Sequence, residues 1–230
     1  VVNETFSIYG QNFAVLIGAA LVVFVIVGII SGLLESAGGI FTFLAAIVRL
    51  AAFALYAGFV VKLVDDVRDG RRDQTVGDLV SSAAPAIGSL IVFGILFGLG
   101  VGIGLVLILV PGLILLTFWS VGAPAIVVEG VGPIEAFGRS WSLVRDSAWS
   151  VFWTLVVVLL IVIAIGVVLG IIATPISNGA TVVASIISNV ITAPIFAIAV
   201  SVMFFDLGGG HPAGAPAAAA EPAPPGSFEP

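Results

Sequence analysis

The chain has no cysteine and a single histidine. Without cysteine there is no disulfide, no thiol nucleophile and no thiolate metal site. The lone histidine, His211, has no partners for a metal site and leaves no Ser/His/Asp set. Charge is scarce as well. Only 9% of the 230 residues are charged, against about 25% in an ordinary soluble domain. Too few polar residues are present to form the shell of a soluble globule. The net charge of −6 leaves nothing to neutralise phosphates, which argues against nucleic acid as a partner. There is no Walker A sequence, no HExxH, no GxSxG and no pair of acids within an apolar run. The glycine-rich GLGVGIG (98–104) lacks a following Lys or Ser and is no phosphate loop. The expectation is a non-enzymatic protein without a cofactor.

What is abundant is hydrocarbon. Hydrophobic residues make up 60% of the chain, and the mean hydropathy is +1.31. The bilayer is the solvent that suits such a composition. About 20 apolar residues cross its core as a helix. Residues 13–34 carry no charge and read as a first span, and residues 39–61 as a second, with Arg49 inside it. From Leu79 to Val128 there are 50 uncharged residues. As one helix they would run about 75 Å, far too long for one crossing. Two spans, 82–102 and 105–127, fit better, with Gly98–Gly104 as the expected turn region and part of that stretch open to being helix. A further uncharged block of 59 residues, 147–205, divides at ATPISNGAT (173–181), where Pro175, Asn178 and Gly179 offer turn chemistry. It yields spans at 149–172 and 180–205. The expected fold is therefore all-α, a polytopic bundle of six transmembrane helices.

Lys and Arg set the orientation. Apart from Arg49, all lie in two connections: Lys62, Arg68, Arg71 and Arg72 in one, Arg139 and Arg145 in the other. The positive-inside rule puts both in the cytoplasm, and both termini with them. The first of these loops mixes four basic with five acidic residues, which reads as a solvated surface rather than a polybasic lipid patch. The chain begins at Val1 rather than Met, so a trimmed N-terminus is expected, and no signal-peptide pattern precedes the first apolar run. Residues 208–230 are dominated by Gly, Ala and Pro and are expected to form a disordered cytoplasmic tail.

Three short segments read as interfacial amphipathic helices, each leading into a hairpin. The first covers residues 4–13. The second starts at Thr75, where TVGD sets an acid three residues after a capping hydroxyl. The third starts at Pro133, suited to a first helical turn. Thr5-Phe6-Ser7-Ile8 lines up with Ser140-Trp141-Ser142-Leu143, and Phe13 with Trp149 after one gap. Aromatics at headgroup level and a wet polar face are the physical logic of such helices. Three helix-plus-hairpin units and a mere likeness of composition both account for the pattern.

Arg49 is the most unusual residue. At mid-bilayer an arginine costs about 2.5–3.5 kcal/mol on insertion scales. One reading is a site for an anionic group, such as a lipid headgroup. The other is a side chain that snorkels outward or caps broken-helix carbonyls. Glu35, at the outer end of the first span, is the nearest acid in sequence terms. Gly94, Gly98 and Gly102 share a helix face, as do Gly28 with Gly32 and Gly166 with Gly170, and such faces admit close helix packing or an oligomer contact. Pro111, Pro124 and Pro194 are candidate kinks.

The stretch from Pro111 to Trp153 carries a further pattern: Pro111-Gly112, Trp119, Pro124, Val127-Val128-Glu129, then Ala136, Ser140, Leu143, Val144 and Arg145. It resembles the membrane domains grouped with the glycerophosphoryl diester phosphodiesterase membrane domain and the YciC-like proteins. The Arg68–Arg72 loop with Thr75-Val76 behind it is similar too. The resemblance implies a six-helix domain in the cytoplasmic membrane of a prokaryote, with Glu129, Ser140 and Arg145 as family-like positions. Some relatives join such a domain to a phosphodiesterase. The acids and histidines of that chemistry are not among these residues, so the activity is not carried over.

The expected role is a scaffold, or a part in envelope and lipid homeostasis. Its partners would be the bilayer, phospholipid, and a second copy or another membrane protein. The alternative is a small transporter or lipid-handling protein with a cavity near Arg49, Pro111 and Pro194. A transporter calls for an enclosed polar cavity containing Arg49. A scaffold calls for no cavity and a satisfied Arg49.

Overall fold

The computed structural model describes residues 1–69, 76–107, 109–173 and 178–210. Arg71, Arg72, Thr75, Pro175 and residues 211–230 of the expected tail, His211 among them, lie outside them. Among the described residues are ten α-helices: α1 (Val2–Gln11), α2 (Phe13–Ala37), α3 (Ile40–Arg68), α4 (Val76–Ala83), α5 (Ile87–Leu107), α6 (Leu109–Trp119), α7 (Gly122–Glu129), α8 (Glu135–Val144), α9 (Ala148–Ala173) and α10 (Asn178–Asp206). Six stretches are long and apolar enough to cross a membrane. The chain is an all-α, multi-pass integral membrane protein.

Helix is the forced choice here. Hydrocarbon offers no partner for a backbone N–H or C=O, so each span satisfies its own. That also explains where the glycine-rich stretch departs from expectation. Gly98–Gly104 is not a turn; it is continuous helix within α5. Its glycines serve packing instead. A Cβ on Gly104 would lie 2.9 Å from the Gly112 Cα of α6, and one on Gly100 would strike the Trp119 ring. On the expected faces a Cβ on Gly98, Gly102, Gly28, Gly32 or Gly170 meets nothing within 4 Å, whereas one on Gly94 meets Leu50 at 3.5 Å and one on Gly166 meets Ser188 at 3.6 Å.

The spans pair as three antiparallel hairpins: α2 with α3, α5 with α6–α7, and α9 with α10. The first turn is Gly38-Gly39, at φ +67° and +57° with extended ψ, a region open to glycine and strained for any other residue. Each hairpin follows a short helix: α1, α4 or α8. The last two enter their spans through 3-10 turns at Ala84–Ala86 and Arg145–Ser147. Pro133 stands in the turn ahead of α8 rather than inside its first turn. The aligned residues of α1 and α8 have matching environments. Thr5 and Ser140 are both buried, Phe6 and Trp141 both exposed, and Phe13 and Trp149 both exposed at the entry to their spans.

The end of the bundle that carries α1, α4 and α8 is the charged end; the hairpin turns form the tip end. Packing is concentrated towards the charged end. Tyr56, Phe59, Val60 and Val64 of α3 meet Ile8, Leu16, Leu79, Ile198 and Val202 in the largest core cluster. A second cluster joins Val121 and Ala125 to Val144, Val151 and Phe204. A third joins Val61 to Leu90, Phe93, Ile126 and Ala136. Helix α10 is the most covered span, 61% buried along its apolar stretch, whereas α2 is only 11% buried. Towards the tips the side chains turn outward, as Leu33, Ile40, Ile103, Leu107 and Ile171 do. In a bilayer those surfaces meet lipid chains and need no protein partner.

The end of α10 differs from the expected tail. Gly208–Gly210 belong to the fold. The Gly209 N–H donates to Phe204 O at 2.9 Å and the Gly208 N–H to Phe205 O at 3.0 Å, with Gly208 at φ +85°. This is a Schellman ending, in which glycine takes the left-handed position.

Candidate functional site

The three hairpins do not fill the space where they meet. A cavity of roughly 230 Å³ lies between α3, α5, α6, α7, α9 and α10, lined by Ala54, Ala57, Phe93, Gly94, Leu116 and Ala197 among others. Its rim includes Phe53 and Phe196, both exposed, so the cavity reaches the lipid-facing surface. No charged side chain lines it. Its two side-chain hydroxyls are already engaged. Tyr56 donates to Leu16 O at 3.2 Å, and Ser120 donates to Thr117 O at 2.9 Å. What the space can do chemically is take an apolar guest.

The local sequence explains how the cavity is kept. Pro124 cannot donate to Ser120 O, and the span breaks between α6 and α7 at Ser120-Val121. Pro124 and Ser120 both line the cavity at that break. Pro194 is buried inside α10, between Ala193 of the lining and Ile195. Tyr9 lies with its hydroxyl 3.5 Å from Ile191 O, at the long limit of a hydrogen bond. Pro111 sits in the first turn of α6, where a missing N–H costs nothing, so it starts that helix rather than kinking it. It does not line the cavity.

Arg49 is outside this space. Its Nη1 is 2.7 Å from Glu35 Oε1, and the two side chains are 54% and 38% exposed. The guanidinium is drawn towards the tip end, where Glu35 closes α2, so the side chain snorkels along the bundle surface. The apolar cavity includes neither Arg49 nor Pro111, beside which the alternative reading of the sequence placed a cavity.

The family-like positions lie at the charged end, where Glu129 and Ser140 hold neighbouring segments together and Arg145 does not. Glu129, the last residue of α7, accepts two hydrogen bonds from Arg139, both 2.7 Å, and a third from the Gly210 N–H at 3.0 Å. Ser140 is fully buried and donates to Phe118 O at 2.7 Å, fastening α8 to α6. Arg145 is exposed, and among the described residues its ion-pair partner is Asp146, at 3.6 Å. A residue that the sequence pattern does not single out completes this end. Arg68 bonds Glu4 of α1 and Asp206 of α10 and lies 5.4 Å from the centre of the Phe205 ring. Its place before the charged loop hides it among ordinary loop cations. Only the fold brings positions 4, 68 and 206 together. The cavity residues are equally hidden, since an alanine beside a void and an alanine in a tight contact look alike in sequence.

Among the described residues no three His, Asp or Glu side chains gather as a metal site would require. No protein-family model, curated protein or solved structure matches the chain.

Proposed function

We propose that this membrane protein is non-enzymatic and works in lipid or envelope homeostasis, holding the acyl chain of a lipid in its central cavity. The observation that carries this is the apolar space shared by all three hairpins and open to the lipid-facing surface at Phe53 and Phe196. Apolar cavities of about 150 Å³ stay dry and accept a benzene-sized guest. At roughly 230 Å³ this one suits a segment of alkyl chain. With no charged side chain in the lining and both of its side-chain hydroxyls engaged, selection is by shape and hydrophobicity.

The likeness of residues 111–153 to the glycerophosphoryl diester phosphodiesterase membrane domains and YciC-like proteins supports the same reading, as a domain of the prokaryotic cytoplasmic membrane. The distribution of Lys and Arg supports a cytoplasmic charged end. A transporter working through a polar cavity at Arg49 has less support, because Arg49 is paired with Glu35 outside the cavity.

The test is native mass spectrometry of the detergent-purified chain, wild type against Ala57→Phe. The phenyl ring would occupy the cavity. The wild type is expected to retain an acyl-chain lipid that the variant loses. Equal retention by the two would overturn the cavity assignment.

A further inference from the structure

Arg49 and Glu35 form an ion pair on the surface that faces lipid. Both side chains are partly exposed, Arg49 at 54% and Glu35 at 38%, and Phe53, one turn beyond Arg49, is an exposed apolar side chain. The depth of the pair follows from helix geometry. Arg49 is ten residues beyond Gly39, so its Cα lies about 15 Å from the hairpin turn, while Glu35 is about 5 Å from it. The Arg49 side chain crosses much of that difference to reach Glu35. The guanidinium is thereby raised from the hydrocarbon towards the glycerol and phosphate layer of the leaflet at the tip end.

The pairing leaves capacity on both sides. Arg49 has five N–H donors in a planar fork, and among the described residues Glu35 Oε1 is its one polar partner. Glu35 Oε2 has no partner of its own among them. At this depth an unmet charged donor is costly. Two phosphodiester oxygens match the remaining edge of the fork as a bidentate acceptor. A primary ammonium a few bonds away would match the free carboxylate oxygen. We infer that the Arg49–Glu35 pair is a headgroup site for a zwitterionic phospholipid bearing a phosphodiester and a primary ammonium, in the leaflet that surrounds the hairpin tips. The site is separate from the central cavity and does not depend on it.

The experiment titrates the detergent-solubilised full chain with phosphatidylethanolamine, phosphatidylglycerol or the chain-free headgroup glycerophosphoethanolamine, reading bound ligand by native mass spectrometry. The wild type is expected to prefer phosphatidylethanolamine to phosphatidylglycerol and to bind the chain-free headgroup far more weakly. Arg49→Gln should lower the affinity for phosphatidylethanolamine by about tenfold or more, near 1.4 kcal/mol. Glu35→Gln should abolish the preference between the two lipids. Arg49→Lys keeps the charge without the fork and should fall between wild type and Arg49→Gln. Unchanged binding in Arg49→Gln would overturn the site, as would a wild type indifferent to the two headgroups. Equal binding of the chain-free headgroup would overturn its assignment to a lipid. Should Arg49→Gln not fold, Glu35→Gln tests the site by itself, and a preference that survives in that variant would overturn it. Ala57→Phe leaves this preference in place, so loss of the cavity guest and loss of the headgroup site are read separately.

Discussion

Glu129 and Arg139 face each other across the turn between α7 and α8, joined by two hydrogen bonds of 2.7 Å from the Nε and Nη2 of one guanidinium. Their side chains are only 13% and 21% exposed, and the Gly210 N–H adds a third bond to the same carboxylate. One acid thus holds the end of α7, the body of α8 and the turn that closes α10. A surface ion pair contributes little, but a largely covered, bidentate one leaves an unmet charge when either partner goes. Arg139→Ala should lower stability by about 2–3 kcal/mol. Arg139→Lys should recover only part of this, because lysine lacks the fork. Thermal unfolding in detergent is the measurement, and variants that unfold with the wild type would refute the role.

Arg68 plays a related part for the first unit. It bonds Glu4 and Asp206, so one side chain ties α1 to the end of α10 beside their direct packing. Arg68→Ala should loosen α1 without unfolding the bundle, a local opening of low free energy. The cysteine-free chain suits the assay. Thr5 is 1% exposed, so a thiol in Thr5→Cys should react slowly, and several-fold faster when Arg68→Ala is added. Equal rates in both backgrounds would show that Arg68 does not restrain α1.

The α5–α6 contact separates two kinds of glycine. A Cβ at position 104 meets backbone of Gly112 at 2.9 Å, whereas one at position 102 meets nothing within 4 Å. Gly104→Ala should cost about 1–3 kcal/mol through overpacking. Gly102→Ala should be neutral or stabilise by about 0.5–1 kcal/mol, since alanine loses less entropy in a helix. Comparing unfolding midpoints of the two variants decides the matter; the reverse order would place the close approach elsewhere on α5.

Orientation is open to direct test. Ser36 lies at the tip end and Asp69 at the charged end, each exposed. With the charged end in the cytoplasm, a membrane-impermeant thiol reagent added to intact cells should label Ser36→Cys and spare Asp69→Cys. The opposite labelling would invert the topology.

The membrane character is legible in the sequence because it is a property of composition and length. An uncharged run of 50 residues has to be helix in hydrocarbon and has to fold back. The short helices ahead of the hairpins are legible for a related reason, since aromatics and hydroxyls at helical spacing mark an interface. The turn within residues 79–128 does not fall at Gly98–Gly104, because the water-soluble meaning of glycine, a breaker, does not hold where an open turn has no solvent. Pro111 starts a helix instead of kinking one, and a proline's effect depends on its distance from the helix start, which a continuous apolar run conceals.

By itself the sequence determined that this protein lives in a bilayer as a helical bundle, with its charge, Arg49 apart, at the ends of the spans, because burial of so much hydrocarbon allows no other solvent. The tertiary structure decided which side chains meet. It drew Arg49 out to Glu35, gathered Glu4, Arg68 and Asp206 from three distant segments, and left the apolar cavity between the hairpins. None of these follows from periodicity, because in a chain that is apolar on almost every face, the choice of packing face is made by fit between helices rather than by hydrophobicity.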